Sequence, residues 1–322
     1  MNTVSGVDAQ KQFRAGIAIL SGLTLSPDWQ RGVALIDAAA AAGHAEAIER
    51  RALLEWRGVG RAPSYETSLN SLVTAAERGS EFAARQLILL ADGRYQPVAT
   101  TDAMASNWAE VRSRISIAQR LQAPRRIEIL STSPLVRAVP EFASTAECDW
   151  LIAAARPRLA RAAVYNNPTG VDPGRTNQFA AFNFANADII IEIVRSRIAN
   201  LIGAPLGVLE VSQVLHYDAG QEFVLHCDFL DPQQMREEIA RNGQRILTVL
   251  IYLNEDFDGG ETSFPRLELK HRGRIGDALV FASTDKTGRP DPQSQHAGCP
   301  PTKGEKWVFS QWVRDRVPNR AS

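Results

Sequence analysis

Four of the five histidines, His216, His226, His271 and His296, fall in the last third of the chain, and one of them opens the triplet His226-Cys227-Asp228. In an extended strand side chains alternate faces, so His226 and Asp228 are expected to point one way and Cys227 the other. A neutral imidazole and a carboxylate ~7 Å apart on one strand face chelate a divalent metal if a third ligand comes from elsewhere. His296, in Ser294-Gln295-His296-Ala297-Gly298 near the start of a late β segment, is the candidate for that third ligand. Two histidines and one carboxylate on one octahedral face leave three positions open, the arrangement non-haem Fe(II) oxygenases use. A His-x-Asp alone arises by chance in many chains, so the surrounding sequence has to carry the weight.

The other reactive residue types carry less. His216 precedes Tyr217 and falls on the opposite strand face, a packing or surface position. His271 lies in a Lys-His-Arg turn, where it is expected to be solvated. Cys227 and Cys299 flank the proposed ligands; small buried filler is the expected role, with redox sensing as the sharper one.

Composition limits the rest. The chain has 322 residues, which suits two domains. Its 36 Lys+Arg balance 36 Asp+Glu, so there is no cationic surplus to displace the counterions of nucleic acid. No apolar stretch reaches the roughly 18 residues of a membrane span. The run Ala15 to Leu25 is preceded by scattered basic residues only and followed by Ser26-Pro27-Asp28-Trp29, a poor match to a secretory leader. Three cysteines, Cys148, Cys227 and Cys299, make no disulfide framework and suit a reducing cytosol, so a cytoplasmic location is expected.

The elements that must position the ligands come in two textures. Through residues 1–97 the sequence repeats at one constant offset: Gly22 and Gly43 match Gly58 and Gly79, Ala39-Ala40 matches Ala75-Ala76, and Leu53-Leu54 matches Leu89-Leu90. Each unit reads as helix, glycine turn, helix, glycine turn, similar to Sel1-type and tetratricopeptide repeats. Such a helical domain offers either a concave surface for a peptide or a cap on its neighbour. Residues 98–126 are expected to link the domains through one amphipathic helix over Thr101 to Leu121, carrying Trp108, Val111, Ile115 and Ala118 on one face and ended by Pro124. Its arginines are expected to be a solvated face.

From residue 127 to 322 short strands prevail. Ile127–Leu130 and Val136–Val139 come first, then a helix opened by the capping box Ser144-Thr145-Ala146-Glu147. A Pro/Gly/Asn-rich loop covers Asn166 to Asn177, and a second amphipathic helix runs from about Asp188 to Leu201 with Ile190, Ile193, Val194 and Ile198 inward. Strands are then expected over 209–217, 223–228, 245–253, 261–264, 278–282 and 307–313, a pattern of sandwiches and jelly rolls.

Dense motifs surround the triplet: Gln213-Val214-Leu215-His216-Tyr217-Asp218-Ala219-Gly220 ahead of it, then Arg245-Ile246-Leu247-Thr248-Val249-Leu250-Ile251-Tyr252-Leu253-Asn254, Gly259-Gly260-Glu261-Thr262-Ser263-Phe264-Pro265, Gly276-Asp277-Ala278-Leu279-Val280-Phe281 and His296-Ala297-Gly298, ending at Lys303-Gly304-Glu305-Lys306-Trp307. In order and content these resemble the prolyl 4-hydroxylase branch of the 2-oxoglutarate/Fe(II) dioxygenases, over about 190 residues. Phe142–Cys148 and Arg175-Thr176-Asn177 resemble its early segments.

The resemblance implies an α+β multidomain protein in which the helical repeats precede a double-stranded β-helix (jelly-roll) dioxygenase domain with flanking helices. It implies Fe(II) on His226, Asp228 and His296, with 2-oxoglutarate, O2 and ascorbate as cosubstrates or cofactors. Lys306 is then the cation for the far carboxylate of 2-oxoglutarate, which a charge-assisted hydrogen bond suits. Tyr217 and Thr248 match positions whose hydroxyls hold the same cosubstrate, and Arg175 matches a loop that touches substrate. Asp228 argues against the halogenating relatives, which have a small residue there. The implied reaction hydroxylates an unactivated C–H, above all of a prolyl residue in a peptide or protein, and releases succinate and CO2. The rivals are hydroxylation of a free amino acid or small metabolite, and a repeat-based binding protein with a vestigial barrel.

Overall fold

The computed structural model describes residues 6–21, 28–95, 107–161 and 174–318. Helices α1 (Gly6–Leu20), α2 (Trp29–Ala41), α3 (Ala45–Arg57), α4 (Tyr65–Glu77) and α5 (Glu81–Asp92) open the chain. Asp28, Ser64 and Ser80 cap α2, α4 and α5, each accepting from a backbone N–H three residues on. Gly43 and Gly79 turn the chain between helices at φ of +85° and +88°, where an L side chain is strained. The expected alternation of helix and glycine turn is therefore present, although Gly22 lies outside the described residues. Ala39, Ala47, Ala75 and Ala83 are fully buried, as close helix approach requires.

The expected linker helix is two short ones, α6 (Trp108–Ser113) and α7 (Ile117–Leu121). Ser116 breaks it: its hydroxyl accepts from the Gln119 N–H, the local bond by which serine starts a new helix rather than continuing one. Trp108, Val111 and Ile115 are buried as expected, but the break turns Ala118 outward. Residues 101–106 of the expected helix lie outside the described residues.

Two compact units divide the chain, one comprising Met1–Gln122 with Phe182–Arg197, the other Ala123–Ala181 with Ile198–Ser322. A division in simple chain order misses that 182–197 packs among the helices, because long-range side-chain bonds decide it. Within the helical unit, buried Arg50 donates through one nitrogen to three backbone carbonyls, those of Ala187 (2.6 Å), Phe184 (3.2 Å) and Ala185 (3.3 Å). Trp56 donates its indole N–H to Ser196 Oγ at 3.0 Å. Glu192 pairs with Arg57 and Arg195, and although burial opposes its charge, these cations hold its carboxyl below the usual range. Helix α9 (Ile189–Ile202) is accordingly buried on every side through residue 199, rather than amphipathic.

In the second unit β1 (Glu128–Thr132) and β2 (Leu135–Val139) form a hairpin, followed by α8 (Thr145–Ala155), whose capping box of Ser144 and Glu147 is formed as expected. Next come β3 (Ala160–Arg161), β4 (Gln178–Phe182), β5 (Ser212–Tyr217), β6 (Phe223–His226), the short helix α10 (Arg236–Asn242) and β7 (Arg245–Tyr252). β8 (Phe257–Gly259), β9 (Thr262–Phe264), β10 (Leu269–His271), β11 (Ala278–Ala282), β12 (His296–Gly298), β13 (Pro301–Gly304) and β14 (Lys306–Arg314) complete it. The larger sheet runs β1-β2-β11-β7-β14-β5-β4-β3, the smaller β10-β9-β12-β6, and β13 pairs β8. Phe264 of the smaller sheet meets Phe281 of the larger edge to face at 5.1 Å, within a core that adds Val136, Tyr252, Leu279 and Val308. The two histidine candidates are carried by β6 and β12 of the smaller sheet, and Asp228 follows two residues after β6.

Replacing Arg50 by Met strands two buried carbonyls, those of Phe184 and Ala187, and takes the same donor from Ala185. The expected outcome is a loss of about 1–3 kcal/mol in urea unfolding, and an unchanged midpoint would show that those carbonyls need no cation.

Candidate active site

β12 runs antiparallel to β6 with His296 opposite His226, so strand pairing alone brings the two imidazoles together, ring centroids 4.3 Å apart. Each ring sets its Nδ1 on a carbonyl two residues back, His226 on Val224 O at 2.8 Å and His296 on Ser294 O at 3.0 Å. A carbonyl only accepts, so Nδ1 carries the proton and Nε2 keeps its lone pair. Both Nε2 atoms face Asp228, at 3.6 Å from Oδ1 and 3.6 Å from Oδ2. His226 and Asp228 thus turn to one side, as alternation predicts. β6 ends at His226 and the chain bends, which brings the carboxylate closer than one strand repeat would.

Asp228 is only 5% exposed. Burial favours its protonated form, but His296, His226 and the Thr248 hydroxyl outweigh that and hold its carboxyl far below the usual carboxylate range. His296 is pushed down to about 4 by burial, against the pull of Asp228, so near neutral pH its imidazole is uncharged. A dry anion faced by two imidazole lone pairs, with the three donor atoms within 4.8 Å of one another, fits a divalent metal of borderline softness. Aromatic rings fix the imidazoles: Phe223 stacks on His226, and Phe281 and Phe264 pack on His296 at 4.5 and 5.5 Å.

A cavity opens beside the triad, lined among others by Tyr217, Lys306, Gly298, Arg175, Phe223 and Ser310. Lys306 and Tyr217 are directly paired across β14 and β5, and the ammonium lies 5.0 Å from the Tyr217 ring centroid. Lys306 is 2% exposed; burial pushes its ammonium down to about 8, with Cys299 and Glu261 opposing. Burial pushes the Tyr217 phenol up to about 12, so it stays a neutral hydrogen-bond donor. A Cβ on Gly298 would come within 3.0 Å of the Tyr217 hydroxyl. Lys306 and Tyr217 are thus where a ligand anion could be met.

Thr248 donates its Oγ1 proton to Asp228 Oδ2 at 2.6 Å. Arg175 bridges to Phe223, lays its guanidinium over the Phe223 and Phe179 rings at 4.7 and 5.5 Å, and bonds Asn177. Residues 166–173 of the loop that carries it lie outside the described residues. His216 is buried against Trp307 on the far strand face, as expected, with Nε2 2.8 Å from Glu305 Oε2. That second cluster with Asp218 is satisfied without a metal, because Arg156 neutralises Glu305 at 3.0 Å. His271 is half-buried rather than solvated, and burial lowers its imidazole. The three cysteines form no disulfide, and burial pushes the Cys227 thiol up, away from a reactive thiolate. The sequence reading missed Phe223, Ser310 and Trp312 as cavity residues; alternation from Lys306 along β14 was the signal for the last two.

A two-sheet β unit with a His-Asp-His face and a buried lysine lining the same cavity suits an Fe(II)- and 2-oxoglutarate-dependent oxygenase, and residues 212–314 match the model of the 2OG-Fe(II) oxygenase superfamily. The chain is 34% identical over 208 residues to a probable prolyl 4-hydroxylase 3 of Arabidopsis thaliana, a match covering 58% of this chain and 71% of that relative. Prolyl 4-hydroxylase 5 of the same plant is 33% identical over 210 residues, with 58% and 71% covered. The solved 2OG complex of the viral collagen prolyl hydroxylase from Paramecium Bursaria Chlorella virus-1 is 26% identical, covers 56% of this chain and 95% of its own, and has a TM-score of 0.45. On the sequence relatives, the chain belongs to the prolyl 4-hydroxylase family, and it is a 2-oxoglutarate-dependent dioxygenase.

His226→Ala and His296→Ala are each expected to abolish Mn(II) binding in calorimetry while leaving the far-UV circular dichroism intact, since two ligands cannot hold a facial site. Binding like that of the unaltered protein in either variant would remove that residue from the ligand set.

Proposed function

We propose that the protein hydroxylates a prolyl residue of a peptide or protein. The observation that carries this reading is a buried lysine, Lys306, set in one cavity with the His226-Asp228-His296 face. Bound Fe(II) and 2-oxoglutarate supply the power to hydroxylate an unactivated C–H, leaving succinate and CO2, with ascorbate as the reductant that keeps the iron ferrous. The chain's own residues do the holding. His226, Asp228 and His296 grip the metal, while the Lys306 ammonium and the Tyr217 hydroxyl receive the far carboxylate of the cosubstrate. Gly298 leaves them room, and Leu250, Val308 and Phe223 keep water from the cavity. Arg175 stands at the substrate end, its aliphatic stem and stacked guanidinium giving a flat wall for a pyrrolidine ring.

The prolyl hydroxylases named among the relatives support the choice of substrate. We further infer that the β unit is a double-stranded β-helix, and that the N-terminal helices are Sel1/tetratricopeptide-like repeats that recruit a protein substrate. Cys148, Cys227 and Cys299, which form no disulfide, favour a reducing, cytoplasmic setting.

Incubation with candidate proline-containing peptides, Fe(II), 2-oxoglutarate and ascorbate should add one oxygen atom to a proline, read by mass spectrometry, with succinate in equal amount. Succinate formed with no peptide oxidised would sink the prolyl reading and favour a small-molecule substrate. Lys306→Ala is expected to raise the 2-oxoglutarate KM by about one to two orders of magnitude, with Mn(II) affinity unchanged. The pH dependence has a definite sign. Lys306 must be protonated to bind the carboxylate, so affinity is full below about 8 and falls as pH rises through it. The 2-oxoglutarate Kd should be about tenfold weaker at pH 9 than at pH 7, and that slope should vanish in Lys306→Ala.

A further inference from the structure

His226 and His296 each have Nδ1 tied to a backbone carbonyl, and strand pairing sets both rings. Asp228 has no such support. It lies on a bend beyond the end of β6, outside every strand ladder, and a carboxylate there is free to rotate about its last bond unless something holds it. Among the described residues, the one group other than the two imidazoles that bonds this carboxylate is Thr248, 1% exposed, whose Oγ1 donates to Oδ2 at 2.6 Å. Thr248 sits in the middle of β7, paired with Phe281 of β11 on one side and Trp312 of β14 on the other. Its backbone is therefore fixed by the centre of the larger sheet, and its β-branched side chain is stiff about χ1. A hydroxyl has one proton to give.

We propose that Thr248 is a positioning residue for the metal site: its hydroxyl pins Oδ2 of Asp228 to the larger sheet and presents Oδ1 to the metal. The proposal rests on the Fe(II) reading above. A carboxylate held by one oxygen occupies a single coordination position, whereas an unpinned one can swing to chelate through both. Three open positions are what 2-oxoglutarate, in two, and O2, in one, require, and a chelating aspartate would take one of them. The role differs from the one the family resemblance suggests for this threonine, contact with 2-oxoglutarate, and the two roles separate by experiment.

Thr248→Val keeps the shape and removes the hydroxyl, while Thr248→Ser keeps a hydroxyl. Mn(II) affinity of the metal-free full chain is measured by calorimetry, then the 2-oxoglutarate Kd of the Mn(II)-loaded protein. The expected result is Mn(II) binding about 10–100-fold weaker in Thr248→Val, the usual cost of losing a group that orients a ligand. Thr248→Ser should recover most of it, and the 2-oxoglutarate Kd should stay within about threefold throughout, against a tenfold or larger loss for a direct contact. If Thr248→Val does not fold, Thr248→Ala makes the same comparison. Unchanged Mn(II) affinity without the hydroxyl, failure of Ser to restore it, or loss confined to 2-oxoglutarate binding each overturns the proposal. Unaltered protein that binds no Mn(II) at all would instead overturn the metal site itself.

Discussion

A carboxylate buried between two imidazoles is the constraint around which the β unit is arranged. An isolated charge at that depth would cost several kcal/mol after relaxation, and the group would protonate rather than remain an anion. Asp228 is drawn back to its ionised form by the Thr248 hydroxyl, which donates to it, and by the electrostatic pull of the two histidines. Those three groups come from three strands in two sheets, β6, β12 and β7. The sheets must therefore meet at one register, and the aromatic contacts of Phe264 and Phe281 with each other and with His296 fill the space between them. A preformed set of donors of this kind lets a metal enter without reorganising the protein, so the ordering cost is met on folding.

Lys306, the other buried charge that lines the cavity, is organised in the opposite way. It has aromatic rings as neighbours at 5.0 and 5.9 Å, those of Tyr217 and Tyr252, and burial has already weakened its hold on its proton. A cation kept in that state gains most from a carboxylate ligand, because binding supplies the counter-charge that folding left out. Of these two buried charges that line the cavity, one is satisfied by the fold and the other is left for a ligand.

The ligand triplet was legible in the sequence because the family's motifs are short and local, and the strands follow from alternating apolar residues bounded by Gly, Asp and Pro. What was hidden shares one property: it depends on partners far away in the chain. The bond of Thr248 to Asp228, the half-burial of His271, and the burial of Glu192 and Arg195 in a helix that reads as amphipathic all rest on such partners. Residues Phe182–Arg197 look like part of the β-rich half by position, yet Arg50 and Trp56 bind them into the helical unit. The break at Ser116 is the exception, a local signal that the apolar spacing of Trp108, Val111 and Ile115 overrode.

β14 has a consequence for how this protein can change over evolutionary time. Lys306, Val308, Ser310 and Trp312 all reach the cavity from alternate positions of that one strand, a cation at one end and an indole at the other, spread over roughly 20 Å. The strand works as a ruler, in which each type of chemistry is assigned a depth by counting in twos. Exchanging a side chain alters one graduation, and the rest keep their places. Inserting or deleting a single residue shifts every graduation beyond it to the other face, and would exchange Trp312 and Ser310 for the residues now packed behind them. New specificities can therefore arise here by substitution at even steps, while the length of the strand is closed to drift.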